Sequence, residues 1–446
     1  MLGQSIILAQ QKPNFILIVA DDLGFGDLSI NGSSQIKTPH IDALAKTGIR
    51  FTEGYVSSPV CSPSRAGLLT GINQVKFGHD NNIGGNQPGF DPEFLGLPLT
   101  EQTIADRLKS QGYISGLIGK WHLGDEPHFH PLKRGFDEFW GYTGGGHDYF
   151  KSEPNGKGYL SPIECNYKTP QPITYITDDV GDESVDFIKR NKAQPFFLYA
   201  AFNAPHAPMQ ATEEDLALYD FIEDEKRRTY AAMVHRLDVN VGKIVEAVKN
   251  EGLAENTLIV FISDNGGPVD SNASINAPYN GQKGILLEGG IHVPFIFNWE
   301  SKLPKGKIYN QPVTSLDILP TFLALASGNS NSEFDGVNLM PFLQDENKEI
   351  PHRELMWRFT ISAAIREGNW KLIRLPDRLP MLFNLSEDVS EQKDVSLDYL
   401  GKTKALLKKL GEWDVNLPHP VFLEGAIWKA RQLKLYDDKY KLTQPE

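Results

Sequence analysis

Cysteine is scarce in this chain: Cys61 and Cys165 are the two among 446 residues. Two cysteines are too few for a disulfide scaffold, so a packed core must hold the fold. Long apolar runs are also missing. None approaches the roughly 20 residues that cross a bilayer, so no membrane span is expected. Positive charge is in deficit, with 44 Lys and Arg against 57 Asp and Glu and a net charge of −13. That balance excludes a broad surface for nucleic acid or anionic lipid. If the substrate is an anion, the charge that binds it must be local. Internal repeats and low-complexity tracts are absent as well. The N-terminal MLGQSIILAQQKP lacks a basic start and a full apolar region. It reads either as an unstructured start or cloning remnant, or as the tail of a trimmed signal peptide with the mature chain beginning near Gln11. The second reading implies a periplasmic or secreted protein.

What is present is an ordinary globular composition, 40% apolar and 23% charged, with ample chain to bury a core. Continuous apolar runs at 14–20, 113–118, 195–202, 257–263 and 293–298 predict buried strands. Between them, residues 38–48, 63–70, 100–110, 226–250 and 314–327 carry helical periodicity or caps. This alternation predicts an α/β fold: a large mixed, mostly parallel sheet covered by helices on both faces. After about Pro351 the texture changes to short, half-polar strands at 355–359, 362–366, 370–375 and 381–384. Glu367-Gly368-Asn369 gives a hairpin signal, and a basic amphipathic helix follows at 397–413. The expected organisation is therefore a catalytic domain over 13–350 and a small antiparallel sheet with a helix over 351–446. Residues 141–171, rich in Gly, Pro and aromatics, show no clear period.

Ligands of open α/β sheets gather at the carboxyl ends of strands. Reading past each predicted strand gives Asp21 and Asp22, then Lys120 and His122, then Asn203 to His206, then Asp264 and Asn265. Core packing alone does not predict this pattern. Asp21, Asp22, Asp264 and Asn265 form a hard oxygen set suited to calcium or magnesium. Cys61, in PVCSPSR, enters a helix whose N-terminus would attract an anion or activate a nucleophile.

These motifs resemble the type I, formylglycine-dependent sulfatases of the alkaline phosphatase-like superfamily. PVCSPSRAGLLTG at 59–71 is similar to the family's first signature and GYISGLIGKWH at 112–122 to its second. DDLGFGDL, NAPHAP, SDNGG, GQKGILLEGGIHVP and the C-terminal REGNWKLI add further likeness, and the resemblance runs from about Pro13 to Leu417. It implies a sulfuric ester hydrolase, and the first reading is one acting on a sulfated carbohydrate, including polysaccharide degradation. Cys61 would be converted by a formylglycine-generating maturation enzyme into a hydrated aldehyde. One of its oxygens attacks sulfur, and the other lets sulfate be expelled. Calcium (or magnesium) would be held by Asp21, Asp22, Asp264 and Asn265, with position 61 beside it. Arg65 would support the formylglycine, and Lys120 and Lys283 would bind sulfate. His122 would act as the base for elimination and His206 as the general acid.

His147 and Asp148, in GGGHDY, are expected to bind substrate, with a structural loop as the alternative. His292 stands where relatives carry Arg and is assigned to substrate placement. His128, His130, His40, His235, Asp27 and Cys165 are expected outside the chemistry, and Lys120, Lys283 and Arg65 are expected to form a compact positive pocket. Two other activities remain open at this point: a phosphonate or phosphate diester hydrolase of the same superfamily, and an inactive carbohydrate-binding homologue.

Overall fold

The computed structural model describes residues 12–83, 91–168, 172–328, 333–422 and 426–442. The N-terminal segment with its leader-like residues lies outside the described residues. The centre is a nine-stranded sheet. Its strands run, from edge to edge, Lys307–Tyr309, Ile49–Phe51, Phe295–Asn298, Thr257–Ser263, Asn14–Ala20, Phe196–Ala201, Ile114–Lys120, Glu138–Tyr142 and Glu164–Cys165. The middle run from Thr257–Ser263 to Glu138–Tyr142 is parallel, and antiparallel pairs flank it. The sheet is mixed and mostly parallel, as its apolar strands predict.

Alternation along the strand Asn14–Ala20 divides the interior in two. Phe15, Leu17 and Val19 pack with Leu68, Leu69, Ile104 and Phe322 on one face. Ile16, Ile18 and Ala20 pack on the other with Ile41, Leu44, Phe187, Val234 and Val241. Each face thus takes its own helices, which is why the central strands read as unbroken apolar runs. Two helices are shorter than their sequence suggested. Residues 100–110 become Ile104–Lys109, because Thr103 closes a capping box with Asp106. Residues 314–327 begin as a 3₁₀ turn, and the α-helix is Ile318–Ser327.

A four-stranded antiparallel sheet follows: Glu354–Phe359, Ser362–Glu367, Trp370–Arg374 and Met381–Asn384. Its expected two-residue turn is present, with Glu367 opposite Trp370 and Gly368 at φ 58°. Both faces are buried. Trp357, Phe359, Ala364, Ile373 and Phe383 belong to the main core, while Ala363, Ile365, Leu372 and Leu382 pack on Leu406 and Leu410 of the helix Leu400–Asp414. No helix among the described residues is long and apolar enough to cross a membrane.

Candidate active site

Register alone brings the site together. Ala20 pairs with Ser263, Val19 with Ala201, and Gly119 with Ala201, so the central strands end at one level. Asp21, Asp264, Asn203 and Lys120 therefore emerge at the same rim. Gly119 sits at φ 111°, where a Cβ would meet the Ala201 carbonyl oxygen at 2.0 Å. Only glycine permits that approach immediately before Lys120. Two residues just past strands hold left-handed backbones, Asp22 at φ 67° and His122 at φ 60°. Asp22 is fixed by its N–H on Asp264 Oδ1 (3.3 Å), and the next N–H, of Leu23, donates to Ser263 Oγ (3.1 Å). Strain of this kind concentrates at functional sites.

Cys61 opens the helix Cys61–Thr70 and is buried. Its Sγ lies 3.4 Å from Asp21 Oδ1 and 3.1 Å from Lys283 Nζ. Lys120 Nζ reaches Asp21 Oδ2 at 2.6 Å, and Lys283 Nζ reaches Asp22 Oδ1 at 2.7 Å. Arg65 donates through Nε to Asp264 Oδ2 (2.9 Å) and through Nη1 to Tyr199 (3.2 Å), and its Nη2 is ion-paired 2.8 Å from the same Asp264 oxygen. Burial pushes the Asp21 and Asp22 carboxyls up. Lys120, His206 and Arg65 around Asp21, and Lys283 and His206 around Asp22, outweigh it and hold both below the usual carboxylate range. Burial pulls the Lys283 ammonium down, but Asp22 and its neighbours hold it well above its ordinary value.

Two expectations need correction. The helix N-terminus does not activate Cys61: burial first, then Asp21 and Asp264, pushes its thiol upward and keeps it protonated. Nor do Arg65, Lys120 and Lys283 by themselves make a positive pocket, because each cation is paired with one of three carboxylates. The cluster as it stands is electrically balanced.

That balance fits a divalent cation. Asp21, Asp22, Asp264 and Cys61 each offer an atom, all within 4.8 Å of one another, and His206 makes a similar group with Asp21 and Cys61. Asn265 Nδ2 donates to Asp22 Oδ1 at 2.7 Å, while its Oδ1 is buried without a hydrogen-bond partner. A buried carbonyl oxygen without a partner, beside three carboxylates, is of the chemistry that would suit a hard cation.

The histidines divide clearly. His122 Nε2 lies 3.1 Å from the Ile83 carbonyl, which can only accept. Nε2 therefore carries the hydrogen and Nδ1 the lone pair, and Nδ1 is buried without a partner. Burial, then Lys120, pushes His122 well below its ordinary value, so it is neutral. His206 Nδ1 contacts the Ala207 carbonyl at 2.5 Å, leaving Nε2 turned toward Asp22 Oδ2 at 3.6 Å. Burial lowers it too, against the opposing pull of Asp21 and Asp22.

The residues expected to place substrate behave differently. His147 is buried, with both nitrogens against the backbone carbonyls of Asp148 (2.6 Å) and Ser161 (2.7 Å). Asp148 accepts the N–H groups of Phe150 and Lys151 and the Gln210 amide. Both brace the loop, the structural alternative. His292 is buried, lies between Glu288 Oε2 (3.0 Å) and the Thr52 carbonyl (2.8 Å), and stacks on Tyr279. Its nitrogens are spent inside the protein. Cys165 sits on the edge strand beside Trp140, and His128 and His130 contact Glu93 and Glu164.

Sequence reading passed over several residues that the fold gathers. Asp27, expected in a turn, does close a 3₁₀ turn. Its buried carboxylate also takes Arg227 (2.7 Å), Tyr230 (2.8 Å) and the Ile275 N–H (2.8 Å), tying down the loop behind Asp22. Ser62 Oγ meets His79 Nε2 at 2.7 Å beside Cys61. Lys371, fully buried, bridges Glu288 and Glu391 at 2.8 Å each. Glu288 lies in the LEGG run and offered a signal; its partners, about 80 and 100 positions away, did not.

A cleft of about 260 Å³ opens above the cluster, lined by Asp22, His206 and Lys283 and by more peripheral side chains. The sulfatase family matches residues 13–328. Human N-acetylgalactosamine-6-sulfatase is 36% identical over 353 residues, which cover 75% of this chain and 66% of that protein. The chain thus spans just under two thirds of that relative's length. Human arylsulfatase D is 31% identical over 538 residues, 94% of this chain and 90% of the relative. Among solved structures, Ps i-CgsB in complex with k-i-k-neocarrahexaose is 39% identical, with a TM-score of 0.86 over 97% of this chain and 100% of that one. The shared sheet, the family match and these relatives lead to one assignment: the chain belongs to the sulfatase family, within the alkaline phosphatase-like superfamily.

Proposed function

We propose that the protein hydrolyses sulfate esters of carbohydrates, with Cys61 as the residue converted to formylglycine. The observation that carries this reading is the arrangement around position 61: a buried side chain opening a helix, set among three carboxylates, two lysines and an arginine. A thiol has no second hydroxyl through which to expel sulfate, whereas a hydrated aldehyde offers one oxygen to attack sulfur and a second hydroxyl for releasing sulfate. A divalent ion held by Asp21, Asp22, Asp264 and Asn265 would polarise the ester and favour the attacking oxygen.

The chain's own groups supply the rest. Lys283 contacts both Asp22 and position 61, so it orients the nucleophile and meets a sulfate oxygen. Lys120, held on Asp21, takes another. Arg65 fixes Asp264. His122 presents an unshared Nδ1 lone pair in a neutral ring, the form a base requires. His206 presents Nε2 to the cleft, and an anionic ester there adds the negative charge that favours a proton on that nitrogen. It then donates to the departing sugar oxygen. The relatives support a sugar ester: one is named for N-acetylgalactosamine 6-sulfate, and another was solved with a neocarrahexaose.

The test is mass measurement of the peptide holding position 61, after expression with and without a formylglycine-generating enzyme, alongside turnover of a sulfated sugar. Activity is expected only in the modified sample. A Cys61→Ala protein with full activity would overturn the reading.

A further inference from the structure

Two parts of the cleft wall take no role in the chemistry above. The first is Tyr159, from the irregular loop after the Gly144–Gly146 run. Its ring is 45% exposed and stands edge-on to His206, with centroids 6.3 Å apart. The second is the C-terminal helix Ala426–Lys434, which brings Arg431 and Gln432 to the cleft, with Leu435 just beyond. This helix comes after the small antiparallel sheet and the helix packed on it. It is nevertheless fastened to the segment that carries Lys283. The Leu286 N–H donates to the Tyr436 hydroxyl at 2.8 Å, and Lys439 reaches Gln282 at 3.1 Å and Asp270 at 2.5 Å.

Charge gives this wall a meaning. Asp270 is the carboxylate of the outer cleft; burial pushes its carboxyl up, but Lys439, Gln282 and then Arg431 outweigh that and hold it low. Lys226 adds its ammonium 3.2 Å from the Asp270 carbonyl. Two cations thus act on one carboxylate and a third reaches the same residue's backbone, on a chain whose net charge is −13. A locally basic rim against that background is a feature a polyanionic ligand can use at short range. The neighbouring exposed tyrosine offers the flat apolar face that suits the C–H face of a pyranose.

We infer that Arg431 and Tyr159 form a subsite for the sugar next to the one being desulfated, with Arg431 binding an anionic substituent on that neighbour. This rests on the carbohydrate sulfatase reading and extends it: the substrate is an oligosaccharide carrying negative charge on successive units. Arg431 is exposed on its helix, so its replacement does not disturb the core.

The experiment compares wild type, Arg431→Gln, Arg431→Lys and Tyr159→Ala on three probes: 4-nitrophenyl sulfate, a fully sulfated neocarrahexaose, and the same hexaose partly desulfated. Arg431→Gln should lower the ratio of kcat/KM for the full hexaose over the aryl ester about tenfold or more, the scale of one charge-assisted hydrogen bond. The loss should sit mainly in KM, Arg431→Lys should recover part of it, and Tyr159→Ala should lower the ratio for both hexaoses. An unchanged ratio in Arg431→Gln, or a wild type indifferent to the extra sulfates, overturns the subsite. Calorimetric binding of the hexaose separates the two readings. Binding that depends on Arg431 in a protein that turns over no sulfate ester would sustain the subsite and refute the sulfatase reading. Turnover of the aryl ester with hexaose binding insensitive to Arg431 would do the reverse.

Discussion

Replacing Asn265 with alanine tests the cation site through stability as well as turnover. In the metal-free protein the substitution has two opposed effects. It removes the Nδ2 hydrogen bonds to Asp22 Oδ1 (2.7 Å) and the Gly266 carbonyl (3.0 Å). A bond to a charged acceptor is worth about 1.5–3 kcal/mol. It also deletes a buried Oδ1 that has no partner, and an unsatisfied buried polar group costs about 1–3 kcal/mol. With about 0.5–1.5 kcal/mol more for the neutral bond to Gly266, the loss exceeds the gain at mid-range, so stability in chelator should fall by about 1–2 kcal/mol. On the proposed reading, the same oxygen would be a ligand when calcium is present. Losing it should weaken the ion about 10–100-fold, at least the scale of losing a group that merely supports a ligand. That removes about 1.4–2.8 kcal/mol of the stabilisation that saturating calcium gives to wild type. The assay is urea unfolding in chelator and in millimolar calcium, with a calorimetric calcium titration of each protein. The reasoning fails if the calcium-dependent part of the stability is the same in mutant and wild type.

Other outcomes follow from named contacts. His206→Ala should cost about 10²–10⁴-fold in kcat/KM on a sugar sulfate and much less on an activated aryl sulfate, whose leaving group needs no proton; equal losses would make His206 a binding residue only. Lys371→Met should destabilise the protein by about 3–5 kcal/mol, because Glu288 and Glu391 are then buried with no cation between them; urea midpoints check this. His352 adds a pH dependence. Burial pulls its ring down, but Asp317 at 2.8 Å outweighs that and holds it above its ordinary value. The pair therefore stabilises fully below the unfolded pKa of about 6.5, and the gain fades as pH rises through the higher folded value. His352→Gln should flatten the fall in stability across that window.

Much of this was legible because the central strands are buried on both faces. Thr257–Ser263 and Asn14–Ala20 match their apolar runs residue for residue, and once the strands are placed, their polar exits name the site. Elements with mixed texture escaped. Glu138–Tyr142 pairs with Ile114–Lys120 at the far side of the sheet, yet its FDEFWGY surroundings carry no clean period. The helix Ile176–Asn191 hides its buried stripe among five acids and a glycine, and that glycine is required because a Cβ at Gly181 would strike Asn240. The site residues were read from local motifs, and where local motif and tertiary surroundings disagree, the surroundings decide. His147 and His292 look like ligands in sequence, but remote carbonyls and Glu288 occupy their nitrogens. Arg431 and Tyr159 carry no local signal at all; only the folded chain brings them to the cleft.

The small C-terminal sheet, buried on both its faces, has a mechanical consequence. An interface that is large and apolar leaves its two sides no freedom to rotate against each other. With Trp357, Phe359 and Phe383 embedded in the principal core, the piece that carries the outer wall is welded to the piece that carries Cys61. Among the described residues, the small sheet and the principal core are one packed unit and not two halves that close on a sugar. Specificity must come from a shape that exists before the ligand arrives, so ordering is demanded of the oligosaccharide and not of the protein. If the proposed oligosaccharide is the substrate, one already held straight by its own repelling charges is the guest such a rigid mould would favour.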